Sequence, residues 1–145
     1  MSENIKMSRP RWFWVMSLLA LVWNLLGVMA FTNQMMMTPE MLALMSQPEQ
    51  DLFNATPVWV NTAFAGGVFG GALGSVFLLM KKAWAVPLFL LSFISVAMQM
   101  SYAFFMSHSF EVFGPGGMIM PIMVLAIAFA LIMFSIKAKK AGWVA

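Results

Sequence analysis

Four long apolar stretches dominate the chain, over residues 12–31, 57–80, 83–106 and 117–136, and none contains Asp, Glu, Lys, Arg or His. Each reaches the roughly 20 residues that a helix needs to cross a hydrocarbon core of about 30 Å. Their apolar positions do not alternate with period two, as the strands of a membrane barrel would. Backbone groups in lipid must be satisfied within their own segment, which selects helix. The pattern predicts an all-α integral membrane protein. It is a single transmembrane domain over 1–145, an antiparallel four-helix bundle. The first stretch is longer than the about 7–15 apolar residues of a signal-peptide core, so a retained span is expected there.

The polar stretches between the runs carry their own signals. Residues 38–56 read as two short interfacial helices. Thr38 is placed to cap the first, with Pro39 at its opening position. Ser46 and Glu49 have capping-box spacing for the second. Gly114-Pro115-Gly116 marks a turn before the fourth run. Pro87 and Pro121 lie close enough to predicted helix starts to be tolerated there.

Charge adds orientation. Lys6, Arg9, Arg11, Lys81, Lys82, Lys137, Lys139 and Lys140 are all the basic residues, and a four-pass path puts every one on the same side. The two remaining loops hold Glu40, Glu49, Asp51 and Glu111 and no Lys or Arg. The positive-inside rule then predicts both termini in the cytoplasm. Trp12, Trp14, Trp59, Trp84, Tyr102 and Trp143 fall at the borders of the runs, where amphipathic rings sit at the headgroup level.

Composition agrees and excludes several functions. The chain is 62% hydrophobic and 9% charged, against about 45–50% and about 25% for soluble domains. Its net charge of +3 is broken up by apolar runs, which is no nucleic-acid footprint. With no cysteine, disulfides, thiol catalysis and Cys-ligated metals are excluded. No nucleophile–His–acid set, paired carboxylate or phosphate loop is present, so the expectation is a protein that is not an enzyme and has no cofactor.

The sharpest motif is in the second run. Ala63, Gly67, Gly71 and Ser75 recur every four residues, and Gly66, Gly70 and Gly74 form a parallel row. Small residues in such rows let helices approach closely. The seam suits packing within the chain first, and a homo-oligomer or a larger membrane complex second. The polar residues inside the runs are Asn24, Asn61, Gln99 and Tyr102. At 1.5 Å per residue Asn24 lies about 20 Å above Arg11, and Gln99 about 23 Å above Trp84. All four fall in the outer half of a bilayer, where amides avoid lipid. They form a candidate polar pocket, or separately act as interhelical glue.

Methionine is abundant, at 17 residues. Met37, Met41 and Met45 are four apart, and thioethers suit Cu(I). Copper handling is therefore a lesser alternative to methionine as a gap filler. His108 is the single histidine and reads as a solvated loop residue near Glu111.

In size and helix count the chain is similar to the small multidrug resistance exporters. Their essential acidic residue in the first helix has no counterpart between Trp12 and Phe31. A further set of segments matches another family: Trp23-Asn24-Leu25-Leu26-Gly27, Thr38-Pro39-Glu40, Thr56-Pro57-Val58-Trp59, Phe69-Gly70-Gly71-Ala72-Leu73-Gly74-Ser75, Trp84-Ala85-Val86-Pro87 and Gln99-Met100-Ser101-Tyr102. Across about the first three helices the chain resembles a family of small four-helix bacterial inner-membrane proteins often labelled sugar transporters. That resemblance implies a bacterial inner-membrane location. Two functions follow as expectations: a non-enzymatic carrier or channel-like protein for a neutral solute such as a sugar, and an accessory subunit of a larger membrane complex.

Overall fold

The computed structural model describes residues 10–107, 111–112, 114, 116 and 119–145; His108 and residues 117–118 of the fourth predicted run lie outside them. All regular structure among the described residues is helical. Four long helices, α1 (Arg11–Met35), α4 (Val58–Leu79), α5 (Ala85–Phe105) and α6 (Ile119–Lys140), are long and apolar enough to span a membrane. Two short ones, α2 (Pro39–Ala43) and α3 (Gln47–Ala55), lie between α1 and α4.

Local chemistry sets the helix ends. The Met41 N–H donates to Thr38 Oγ1 at 3.2 Å at the start of α2. Ser46 and Glu49 exchange both bonds of a capping box at the start of α3. Pro10 and Pro57 precede α1 and α4 in extended conformation. Pro87 and Pro121 each occupy the third position of their helix, where a missing N–H breaks no intrahelical bond. Two bounds depart from the sequence reading. α1 continues a turn past Phe31 to Met35, and α6 continues past Ile136 to Lys140. Thr32, Asn33 and Gln34 are polar but helix-compatible, and so are Lys137, Lys139 and Lys140. Loss of hydrophobicity did not mean loss of helix.

The burial pattern differs from that of a water-soluble protein, because many large apolar side chains are exposed. Beside Phe13, Leu78, Phe89 and a few other large side chains, the buried faces carry many small or polar residues: Ser17, Ala20 and Asn24 on α1, Gly67, Gly70, Gly71, Gly74 and Ser75 on α4, Ser92 and Ser95 on α5, and Ala128 and Ser135 on α6. Leu19 and Leu26, by contrast, are 57% and 56% exposed. A soluble chain would bury such leucines at about 1.5–3 kcal/mol each. Lipid removes that drive, and association then favours small residues that let backbones meet. The chain has the build of a multi-pass membrane protein.

α4 packs between α1 and α5, and α5 packs against α6. Contacts of Asn24 with Ser75, Gly27 with Val68 and Phe31 with Phe64 run α1 antiparallel to α4. Gly66 against Ser95 and Gly74 against Phe89 do the same for α4 and α5.

One end is sealed by aromatic rings. Phe13, fully buried, lies 5.8 Å from Phe134 and 5.7 Å from Trp143 between ring centroids. Trp12 adds an edge contact to Trp143 at 5.1 Å, and Lys137 Nζ sits 5.2 Å from the Trp12 ring. Trp143 reaches this cluster because α6 ends in a Schellman turn. Gly142 adopts φ 76°, and the Trp143 N–H bonds back to the Ala138 carbonyl. α4 ends in the same way, with Lys81 in the left-handed position at φ 63° and the Lys82 N–H on the Phe77 carbonyl. The two turns are then joined. Ala145 donates to the Lys81 carbonyl at 3.0 Å and accepts from the Ala83 N–H at 3.1 Å. Arg11, Lys81, Lys82, Lys137, Lys139 and Lys140 thus share one end of the molecule.

Candidate functional site

The site begins with the glycines of α4, because they decide how close the other helices come. A Cβ on Gly66 would sit 2.6 Å from Ser95 Oγ, and one on Gly67 2.9 Å from Val96 Cγ2. On Gly70 it would meet the Leu88 carbonyl at 3.3 Å, and on Gly74 the Phe89 ring at 3.1 Å. These four positions fit α5. Gly71 fits α1, since a Cβ there would collide with Asn24 Oδ1. Ala63 and Ser75, the ends of the first row, are buried as well. The glycine rows are occupied within the chain, on two sides of one helix.

Close approach brings polar groups into bonding range. Ser92 Oγ of α5 donates to the Gly67 carbonyl at 2.6 Å. Asn24 Nδ2 donates to the Ala20 carbonyl at 2.8 Å and to Ser75 Oγ at 3.3 Å. Ser75 passes its own proton to the Gly71 carbonyl at 2.8 Å. Asn24 is therefore a buried amide whose donors are engaged by α1 and α4.

Next to this layer, and bordered by Asn24 and Ser92 themselves, lies a cavity of about 440 Å³. All four long helices line it: Trp23, Asn24 and Gly27 from α1, Phe64 and Val68 from α4, Ser92, Val96 and Gln99 from α5, and Val124, Ala128 and Leu131 from α6. The volume lies inside the range of about 300–1,000 Å³ common for small-molecule sites. The wall is apolar apart from Asn24, Ser92 and Gln99. Asn24 and Ser92 already donate to protein partners. Gln99 borders the cavity and makes no hydrogen bond to a described residue.

The four polar residues singled out in the sequence do not meet in one pocket. Asn24 and Gln99 share the cavity. Asn61 accepts from Gln34 Nε2 at 2.8 Å, tying the end of α1 to the start of α4. Tyr102 Oη donates to the Ala55 carbonyl at 3.3 Å, and its ring stands edge-on to Trp59 at 5.8 Å. Tyr102 thus fastens α5 to the α3–α4 junction. Gln34 escaped the sequence reading because α1 was expected to end at Phe31. Ser92 carried a signal, a hydroxyl inside an uncharged run, that was passed over. The aromatic and aliphatic walls carried none.

Met37, Met41 and Met45 do not form a helical stripe. Met41 lies in α2, whereas Met37 precedes it and Met45 follows it. Pro39 and the Ser46 cap break the segment into short pieces, so spacing by four is not spacing along one face. Among the described residues no three His, Cys, Asp or Glu side chains come together as a metal cluster. Comparison with known proteins finds no matching family model, characterised protein or solved structure.

Proposed function

We propose that the chain is a non-enzymatic intramembrane binding protein, working as a carrier for a small neutral molecule that is mostly apolar and has one hydrogen-bonding group. The carrying observation is the cavity of about 440 Å³ between the four spanning helices, with the unbonded Gln99 amide as its free polar group. The apolar wall gives such a molecule its binding energy and the amide gives it orientation, as in most small-molecule sites. A sugar is a poor match. Each of its hydroxyls would need a partner, and unpaired buried hydroxyls cost about 1–3 kcal/mol each.

The same reading includes an antiparallel bundle in a bacterial inner membrane with both termini in the cytoplasm. Arg11, Lys81, Lys82 and the three lysines ending α6 share one end, and Glu40, Glu49 and Asp51 belong to the α2–α3 segment at the other, which supports that orientation. The cavity then lies toward the outer face. A docking role in a larger complex draws no support from the glycine rows, because α5 and Asn24 fill them.

Photolabelling tests the reading. The purified chain in nanodiscs is labelled with a trifluoromethyl-diazirinyl benzyl alcohol and mapped by peptide mass spectrometry. Insertion is expected at Phe64, Val96 or Val124, competed by benzyl alcohol and not by glucose. Gln99→Leu is expected to weaken labelling about 2- to 10-fold, the worth of one hydrogen bond. Labelling confined to the outward leucines, indifferent to Gln99, would remove the proposal.

A further inference from the structure

A second apolar space lies beside the cavity. α1 and α6 meet at the sealed end through Trp12, Phe13 and Phe134. Beyond that contact a groove of about 430 Å³ runs between them, and no other helix contributes to its wall. Met16, Leu19 and Val22 form one side, and Ile127, Ala130 and Phe134 the other. Trp23, Leu26 and Leu131 line both the groove and the central cavity, so the two spaces are neighbours with those three side chains at their border. Among the described residues no charged or polar side chain borders the groove apart from the Trp23 indole.

In a membrane this groove faces acyl chains rather than water. α1 and α6 are apolar along the whole depth at which it lies, and its rim residues Leu19, Val22 and Leu26 are exposed. We infer that the ligand is a neutral single-chain amphiphile taken from the bilayer through the α1–α6 gap, with its tail along the groove and its hydrogen-bonding group at Gln99. Three observations select that chemistry. The groove and the cavity are adjacent apolar spaces, divided only by the Trp23, Leu26 and Leu131 side chains that a chain entering from the bilayer would displace. The cavity offers the Gln99 amide. Among the described residues no ionised side chain lines either space, so a charged headgroup would enter without a counter-ion, at a cost that apolar sites do not recover. The inference rests on the cavity being a binding site and adds the source and class of the ligand.

The test uses two probes on the full chain in phosphatidylcholine nanodiscs. One is the diazirinyl benzyl alcohol, and the other is dodecanol with a diazirine in mid-chain. Ala130 is exposed on the groove wall, so Ala130→Trp fills the groove without entering the packed interior. Leu19→Trp fills it from the opposite side and serves as the second variant. The dodecanol probe is expected to label both groove and cavity residues. Its cavity labelling should drop about tenfold in either variant while the benzyl alcohol still reaches Phe64. If the benzyl alcohol labels the cavity but dodecanol does not, or if neither variant changes dodecanol labelling, lateral entry is wrong and the binding cavity stands. If neither probe labels the cavity of the unsubstituted protein, both proposals fall.

Discussion

The two ends of the helix assembly solve opposite packing problems. At the basic end, Phe13, Trp12, Phe134 and Trp143 fill the space between α1 and α6, two Schellman turns set the chain direction, and Ala145 joins them through backbone bonds. Toward the other end α1 and α6 no longer pack together, and a cavity remains that Gly27, Ala128 and Val124 help to line. Large rings close the gap between α1 and α6 at one end, and nothing equivalent closes it beside the cavity. In lipid no hydrophobic force collapses the open part, because leucine gains little by leaving hydrocarbon. A void of this size beside a free amide is therefore read as a site placed on a rigid base.

Substitutions can break or sharpen this contrast. The largest effect is expected at the sealed end. Phe13→Ala should destabilise the protein by about 3–5 kcal/mol, the usual range for a fully buried aromatic ring. The midpoint of unfolding in detergent, followed by tryptophan fluorescence, measures it. Loss below about 1 kcal/mol would mean that the ring cluster does not hold the end together.

The glycine layer comes next. Gly71→Ala should cost about 1–3 kcal/mol, because its new methyl meets Asn24, which two hydrogen bonds hold in place. The intrinsic helix preference for alanine, about 1 kcal/mol, opposes this and sets the lower bound. Adding Asn24→Ala should recover part of the loss, giving a coupling in a double-mutant cycle. Additive effects would show that Gly71 and Asn24 do not touch. The smallest effect is at the α4–α5 turn. Lys81 holds a positive φ that favours glycine, so Lys81→Gly should stabilise by about 0.5–1 kcal/mol. A destabilised variant would imply that the Lys81 side chain contributes more than its backbone conformation costs.

Much of the architecture is legible in the sequence. The spanning helices follow from uncharged length, and α2 and α3 follow from Thr38-Pro39 and the Ser46/Glu49 box, because capping is local chemistry. The site was less legible for a physical reason. Helices that are apolar all round carry no phase, so the runs do not say which side of each faces a neighbour. The two glycine rows showed where α4 packs tightly, yet their division between α5 and Asn24 depends on tertiary placement. Asn24, Asn61, Gln99 and Tyr102 all count to the same half of the bilayer, but Asn24 meets Gly71 and Ser75 whereas Asn61 and Tyr102 bond near the helix ends, in other directions. Depth can be counted along a helix, whereas direction needs the partner helices.

The contrast between packing amide and binding amide gives the most direct measurement, made on Gln99→Leu. Its unfolding midpoint and its labelling by the diazirinyl benzyl alcohol are recorded on the same preparation. The prediction is an unchanged midpoint with weakened cavity labelling, since Gln99 bonds to no described residue and borders the cavity. A lowered midpoint with undiminished labelling would place Gln99 beside Asn24 as packing glue and contradict the binding role.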